Sequence, residues 1–248
     1  LSQASGAIAP SDTMAMQITF MPSAVTSFTD TLVIHSNDYD AADTLKYISL
    51  AGTGMDTLAP SKPQNVAVTT EVEKIVSLDW DNNTEGDFSN YIIYRNQNSG
   101  YTPSPSDSLG ITNISAFQDS IVGYDTTYYY RITAVDTIGN RSGYTNEEGW
   151  TVLKPPSGVT ATTIAWNQVD LAWTDNSGAE SGFIIERREG GIGSYSVVDT
   201  VEQNVVAFSD NSVIQTTLYE YRLKTYHTNH SGSLYSNTAD ATTSVSDH

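Results

Sequence analysis

The strongest constraint in this chain is that it repeats itself at the scale of a whole domain. Val76, Leu78 and Trp80 recur as Val169, Leu171 and Trp173, and Tyr91-Ile92-Ile93-Tyr94-Arg95 recurs as Phe183-Ile184-Ile185-Glu186-Arg187. Thr126-Thr127-Tyr128-Tyr129-Tyr130-Arg131-Ile132 then recurs as Thr217-Leu218-Tyr219-Glu220-Tyr221-Arg222-Leu223. The three offsets are 93, 92 and 91 residues, too long for a solenoid unit, so each copy is a domain of about ninety residues. Two Pro-bearing breaks bound the copies, Ala59-Pro60-Ser61-Lys62-Pro63 and Lys154-Pro155-Pro156-Ser157-Gly158. Neither can continue a paired strand, and each reads as a short, stiff linker.

Within each copy, stretches of Val, Ile, Thr and Tyr alternate apolar with polar and end at Gly, Pro, Asn, Asp or Ser, which is the pattern of strands and turns. Helix-period stretches are missing, and with them any alternation of strand and helix that would build a nucleotide-binding fold. Gly190-Gly191-Ile192-Gly193 precedes the strand-like Tyr195-Ser196-Val197-Val198 and reads as a hairpin loop, not a phosphate cradle. The fold class is therefore all-β, as tandem immunoglobulin-like β-sandwiches. The chain has 248 residues and no Cys, so neither disulfides nor thiolate chemistry contribute. A net charge of −18 repels nucleic-acid phosphates and anionic headgroups. No apolar run approaches the roughly 20 residues of a membrane span. The opening Leu1-Ser2-Gln3-Ala4, without Met or an apolar leader, reads as a processed or excerpted chain.

At these residues the sequence resembles the fibronectin type III family, over residues 60–153 and 154–245. The marks are the second-strand Trp80 and Trp173, the third-strand run ending in Arg95 and Arg187, and the Thr-x-Tyr opening the sixth strand at Tyr128 and Tyr219. The resemblance implies that both Trp rings fill the space between two sheets about 10 Å apart. It also implies that Tyr128 and Tyr219 form tyrosine corners, ring in the core and hydroxyl returned to backbone. Asp136-Thr137-Ile138-Gly139-Asn140-Arg141-Ser142 matches the family's turn after the sixth strand; the second copy departs there, with His227-Thr228-Asn229-His230-Ser231-Gly232, and a differently shaped loop is expected.

Residues 1–56 form a different module. Met16-Gln17-Ile18-Thr19-Phe20-Met21-Pro22, Thr31-Leu32-Val33-Ile34-His35-Ser36-Asn37-Asp38 and Ile48-Ser49-Leu50-Ala51-Gly52-Thr53-Gly54 resemble the later strands of immunoglobulin-like domains of the choice-of-anchor D, or ASPM-SPD2-Hydin, type. That resemblance implies a secreted or surface-exposed bacterial protein. Met14, Met16, Ile18, Phe20, Leu32, Ile34, Ile48 and Leu50 would make an apolar face without an opposing sheet. Completion either by upstream residues or by strands from another chain is expected.

Candidate chemistry is sparse. His35 falls on the outward parity of its strand, His227 and His230 share one loop, and His248 is terminal; a lone H-x-x-H without a third ligand is a surface turn, so no metal or catalytic residue is assigned. Hard-oxygen calcium ligands could come from Asp38, Asp40 and Asp43, or from the Asp81–Asp87 loop, but that loop has Ile92 where an EF-hand needs Glu, and turn chemistry accounts for both. Of the 15 tyrosines, Tyr128, Tyr130, Tyr219 and Tyr221 point inward, which leaves Tyr129, Tyr226, Trp150 and Trp166 as stacking candidates for glycan or protein. The reading is non-enzymatic: a structural or adhesive segment of a secreted or cell-surface multidomain protein, acting as a spacer rod or a filament subunit. Its partners are proteins or a second copy, by strand complementation of residues 1–56. Two alternatives stand beside it, an accessory module flanking a secreted hydrolase and a glycan- or protein-binding module.

Overall fold

The computed structural model describes residues 17–20, 25–35, 45–229 and 231–246. It divides the chain into two compact units, Leu1–Leu58 and Ala59–His248.

In the first unit, β1 (Ser27–His35) and β2 (Leu45–Thr53) form an antiparallel pair, with Ser27 opposite Thr53 and His35 opposite Leu45. The strand that the resemblance implies at Met16–Pro22 does not form where it is described: residues 17–20 take no part in a ladder. Phe20 packs edge-on against Phe28 at 5.7 Å instead, and its ring lies so close to Gly52 that a Cβ there would stand 2.8 Å away. Ile18, Phe20, Ile34 and Ile48 are exposed, and among the described residues no further strand joins this pair. Met14 and Met16 lie outside the described residues.

The second unit holds two β-sandwiches. In the first, β3 (Ala67–Val72), β4 (Ile75–Asp79) and β7 (Ala116–Asp119) make one sheet in the order β3-β4-β7. It faces a sheet of β5 (Phe88–Asn96), β6 (Ser108–Thr112), β8 (Thr126–Asp136) and β9 (Glu148–Val152), in the order β6-β5-β8-β9. The second sandwich repeats this plan. Its three-stranded sheet is β10 (Ser157–Ala165), β11 (Gln168–Thr174) and β14 (Ala207–Asp210), in the order β10-β11-β14. Its four-stranded sheet comprises β12 (Gly182–Glu189), β13 (Ser196–Glu202), β15 (Leu218–Tyr226) and β16 (Ala239–Thr242), in the order β13-β12-β15-β16. Among the described residues the only helical segment is the short turn Pro105–Asp107, and no helix is long and apolar enough to cross a membrane.

Strand periodicity sends alternate side chains into the two cores. Along β15, Tyr219, Tyr221, Leu223 and Thr225 are buried while the residues between them face outward. Trp80 and Trp173 sit in the cores at 3 % and 6 % exposure, each edge-on to a buried ring of the next strand, Tyr91 or Phe183. Both tyrosine corners form: the backbone N–H of Gly123 donates to the Tyr128 hydroxyl at 2.8 Å, and that of Ile214 to the Tyr219 hydroxyl at 3.1 Å. The Gly190–Gly193 stretch is a hairpin loop between β12 and β13, with Gly190, Gly191 and Gly193 all at positive φ.

The loops after the sixth strands correct one expectation. The side chains differ as the sequence requires, but the same backbone hydrogen bond closes both loops. Asp136 N–H donates to Asn140 C=O at 3.1 Å in one loop, and His227 N–H to Ser231 C=O at 2.9 Å in the other. In the first, the Asp136 carboxylate accepts the N–H groups of Ile138 and Asn140. In the second, His227 Nδ1 accepts the N–H of Asn229, and Asn229 Oδ1 that of Ser231. His227 is thereby used as a turn acceptor; His230 and His248 lie outside the described residues.

Candidate functional site

The second Pro-bearing break is a packed junction between the sandwiches, and its side chains form a polar site with both domains contributing. The chain leaves β9 through Val152 and Leu153, both buried, and enters β10 past a buried Pro156. Asp125, held at φ 54 before β8, donates its N–H to Val152 C=O at 2.7 Å and presents its carboxylate to the second sandwich. There it accepts the Ser177 hydroxyl and faces Lys154 Nζ at 3.8 Å. Asn176 donates to Pro155 C=O at 2.8 Å. From the loop after β15, Ser231 accepts the N–H of Thr151 at 2.7 Å, and Asn229 donates to the Thr151 hydroxyl at 3.0 Å. Thr225 donates its hydroxyl to Lys154 C=O at 3.0 Å. Backbone groups of the linker are thus satisfied by side chains of the following domain, which is how a buried connection avoids unpaired polar atoms.

A cleft of about 290 Å³ opens beside the linker, lined by Glu73, Tyr124, Lys154 and Asn176 among others. Lys74 and Lys154 stand 5.4 and 5.5 Å from the Tyr124 ring centre, and the Tyr124 hydroxyl donates to Glu73. Burial, then the bond to Glu73, pushes the Tyr124 hydroxyl up to about 12, so it stays a donor at any physiological pH. Glu180 is buried at the same end of the second sandwich, and its Oε2 has no partner among the described residues. Burial raises its pKa, and the negative fields of Asp175 and Asp125 add to the shift.

Each core contains a further polar group that the repeat duplicates. Arg95 Nη1 meets Asp119 Oδ2 at 2.6 Å, Tyr130 donates to the same oxygen at 2.9 Å, and the Arg95 guanidinium lies 4.9 Å from the Tyr128 ring centre. In the second copy, Arg187 meets Asp210 at 2.6 Å, Tyr221 donates to it at 2.9 Å, and Arg187 lies 4.8 Å from Tyr219. Burial pushes the Asp210 carboxyl up, but hydrogen bonds from Ser212, Tyr221 and Arg187 outweigh it and hold the group below its ordinary value. The sequence pointed to the two arginines but not to their partners. The signal was present, since Ala116-Phe117-Gln118-Asp119 recurs as Ala207-Phe208-Ser209-Asp210.

The aromatic candidates part company. Trp150 is half-buried against the first core and donates its indole N–H to Thr70 at 2.8 Å, so it fastens β9 to β3. Trp166 stands 44 % exposed in the turn between β10 and β11. Tyr129 and Tyr226 are half-buried. Two other tyrosines form a stack on the outer face of the second sandwich: Arg222 lies 3.9 Å from the Tyr195 ring centre and 3.5 Å from that of Tyr235, while its Nη2 pairs with Glu186 at 2.7 Å. The rings' faces are taken by that guanidinium, which makes the stack a fastening of the sheet. In the Asp81–Asp87 loop, Asn83 and Glu85 bind the backbone of Ser61, and Asn83 N–H donates to the Tyr91 hydroxyl at 2.7 Å, so these groups fasten the loop to the start of the sandwich and to its core. Asp38, Asp40 and Asp43 lie outside the described residues. His35 is exposed at the end of β1.

Fold and junction define a class: two immunoglobulin-like β-sandwiches in tandem, joined by a packed linker. No protein-family profile matches the chain. It is similar to an alpha-amylase of Niallia circulans, 33 % identical over 137 residues, covering 55 % of this chain and 9 % of that protein. It is similar to exoglucanase B of Cellulomonas fimi, 25 % identical over 197 residues, covering 74 % and 16 %. It is also similar to a poly(3-hydroxybutyrate) depolymerase of Ralstonia pickettii, 33 % identical over 113 residues, covering 46 % and 18 %. The chain thus matches less than a fifth of each relative's length. Among solved structures, it aligns with the FN1–FN3 domains of chicken CNTN1 at a TM-score of 0.44 and 13 % identity, covering 88 % of this chain and 78 % of that one. It aligns with a two-domain fibronectin type III segment of chicken tenascin at 0.37 and 17 %, covering 73 % and 99 %.

Proposed function

We propose that this chain is a non-catalytic spacer segment of a larger secreted bacterial protein, accessory to a hydrolytic unit carried elsewhere in that protein. One observation carries the reading: three relatives with three different activities match this chain over only 9 %, 16 % and 18 % of their length. Segments of this chain that recur in an amylase, in an exoglucanase and in a depolymerase support a job independent of substrate, and holding other modules apart is such a job. In this reading residues 60–153 and 154–245 are fibronectin type III modules. Residues 1–56 are the later strands of a choice-of-anchor D-like domain completed by other strands.

The junction supports the reading, because side chains of one sandwich satisfy the linker backbone of the other and oppose free rotation. The charge of −18 keeps such a segment soluble and discourages lateral association. A second reading, a filament subunit, is favoured by the exposed Ile18, Phe20, Ile34 and Ile48 of the first unit, which strands of another chain would cover. Two assays on the purified chain separate these readings. A spacer neither hydrolyses nor is retained by amylose, glucan or poly(3-hydroxybutyrate), and it stays monomeric in light scattering across concentration. Turnover or retention on one of these polymers overturns the spacer reading, and ordered chains by electron microscopy replace it with the filament.

A further inference from the structure

The repeat sets each loop of the second sandwich beside its counterpart in the first, and at one position the exchange of side chain is unusual. Tyr91 and Phe183 correspond at an offset of 92, which puts Glu180 where the first copy has Phe88. The ladders agree, since Asn90 pairs with Val135 in one copy and Gly182 with Tyr226 in the other. Phe88 packs on its core, its ring centre 4.6 Å from that of Tyr91. Glu180 is 6 % exposed, so a carboxylate has taken the place of a ring without gaining solvent, and its Oε2 has no hydrogen-bond partner among the described residues. Buried charges are paired with an opposite charge or coordinate a metal. Among the described residues no ion pair supplies Glu180 with that charge.

What stands near Glu180 is more negative charge. The fields of Asp175 and of Asp125 both act on it. Those two carboxylates meet on one buried residue: Ser177 donates its N–H to Asp175 Oδ1 at 3.1 Å and its hydroxyl to Asp125 Oδ1. Asp125 belongs to the first sandwich, while Asp175 and Glu180 lie in the loop between β11 and β12 of the second, so the group draws on both domains. Among the described residues one ion pair reaches it, from Lys154, whose Nζ stands 3.8 Å from Asp125 on a side chain 41 % exposed. Three carboxylates against one loosely held lysine leave the junction negative. Carboxylate and hydroxyl oxygens are the hard donors that calcium takes, in a flexible coordination sphere that tolerates ligands from separate elements.

We propose that Glu180, Asp175 and Asp125 bind a calcium ion across the junction of the two sandwiches. Glu180 Oε2 is the ligand atom already in place. Binding draws the Asp175 and Asp125 carboxylates from their bonds to Ser177 toward it, Lys154 gives up Asp125 to the ion, and water completes the coordination. The ion neutralises the buried charge and fastens one domain to the other, so its occupancy and the stability of the junction are linked.

The test uses the full chain, stripped with chelator and titrated with calcium chloride alone, by isothermal calorimetry and by thermal denaturation. A site with a Kd of about 0.1–1 mM is expected, as in extracellular modules, and about 5 mM calcium raises the midpoint of the second sandwich. Glu180→Gln is expected to weaken that site at least about tenfold, because a ligand charge is lost. In chelator Glu180→Gln is the more stable chain and in calcium the parent is, a crossing that a merely buried carboxylate does not produce. Asp125→Asn, in the other sandwich, is expected to lose the same response, and Asp175→Asn reports on the site should Glu180→Gln not fold. Asp199→Asn, exposed on β13, is expected to keep it. Calcium uptake and midpoints alike in the parent, Glu180→Gln and Asp175→Asn overturn the proposal. A response lost in Glu180→Gln but kept in Asp125→Asn overturns the shared site and confines the ion to the second sandwich.

Discussion

The backbone N–H of Thr151 donates to the Ser231 hydroxyl at 2.7 Å, and both residues are 1 % exposed. That bond ties the last strand of one sandwich to a loop of the next. Removing the acceptor strands a buried donor, which costs about 1–2 kcal/mol. Ser231→Ala is expected to lower the denaturant midpoint correspondingly and to broaden the distance distribution between the sandwiches. Ser99→Ala, whose hydroxyl meets Glu147 on an exposed surface, is expected to do neither.

The buried pairs Arg95–Asp119 and Arg187–Asp210 are expected to act independently, one per core. Replacing one partner leaves the other charge uncompensated, so Asp119→Asn and Asp210→Asn are each expected to destabilise their own sandwich by about 3 kcal/mol. Calorimetry of each variant is expected to show one transition moved to lower temperature and the other nearly in place.

Glu180 carries the opposite sign. Its pKa is raised by burial in the folded protein, so the folded state holds the proton more tightly than the unfolded one. Stability at this residue is therefore present at acid pH and lost as pH rises through the folded value. Glu180→Gln removes the charge of a buried carboxylate whose Oε2 has no hydrogen-bond partner among the described residues, and it is expected to stabilise the calcium-free chain at neutral pH by about 1 kcal/mol. The variant's advantage over the parent is expected to vanish in acid, as measured by denaturation at a series of pH values.

Glu85 behaves as Asp210 does. Hydrogen bonds from Ser61 lower it from 4.5 to about 2, so its contribution is complete above the ordinary value and lost as pH falls toward 2. Being partly solvated, it contributes less than about 1 kcal/mol. Glu85→Gln is expected to lower the plateau at neutral pH by less than about 1 kcal/mol and to flatten the acid limb of the stability curve.

Much of this was legible in the sequence, for reasons that lie in particular residues. Trp80, Trp173, Tyr128 and Tyr219 repeat in order at matching spacing, and strand parity alone places them inward. Asp119 and Asp210 were recoverable in principle, because they repeat too, but they stand in short strands that periodicity marks weakly. The junction was not recoverable. Ser231 meets Thr151 across 80 residues and Ser177 meets Asp125 across 52, and such contacts leave no local pattern. The loop at His227 shows the converse, since changed side chains preserve the backbone closure and release Asn229 and Ser231 to reach the neighbouring domain.

The central claim is that the two sandwiches are held at a fixed spacing. The chain has no Cys, so Asn113→Cys and Thr200→Cys, both exposed and one in each sandwich, place a unique pair of spin labels. Pulsed electron–electron resonance on that pair is expected to give one narrow distance distribution, which Ser231→Ala broadens. A broad distribution in the parent chain, unchanged by Ser231→Ala, contradicts the account.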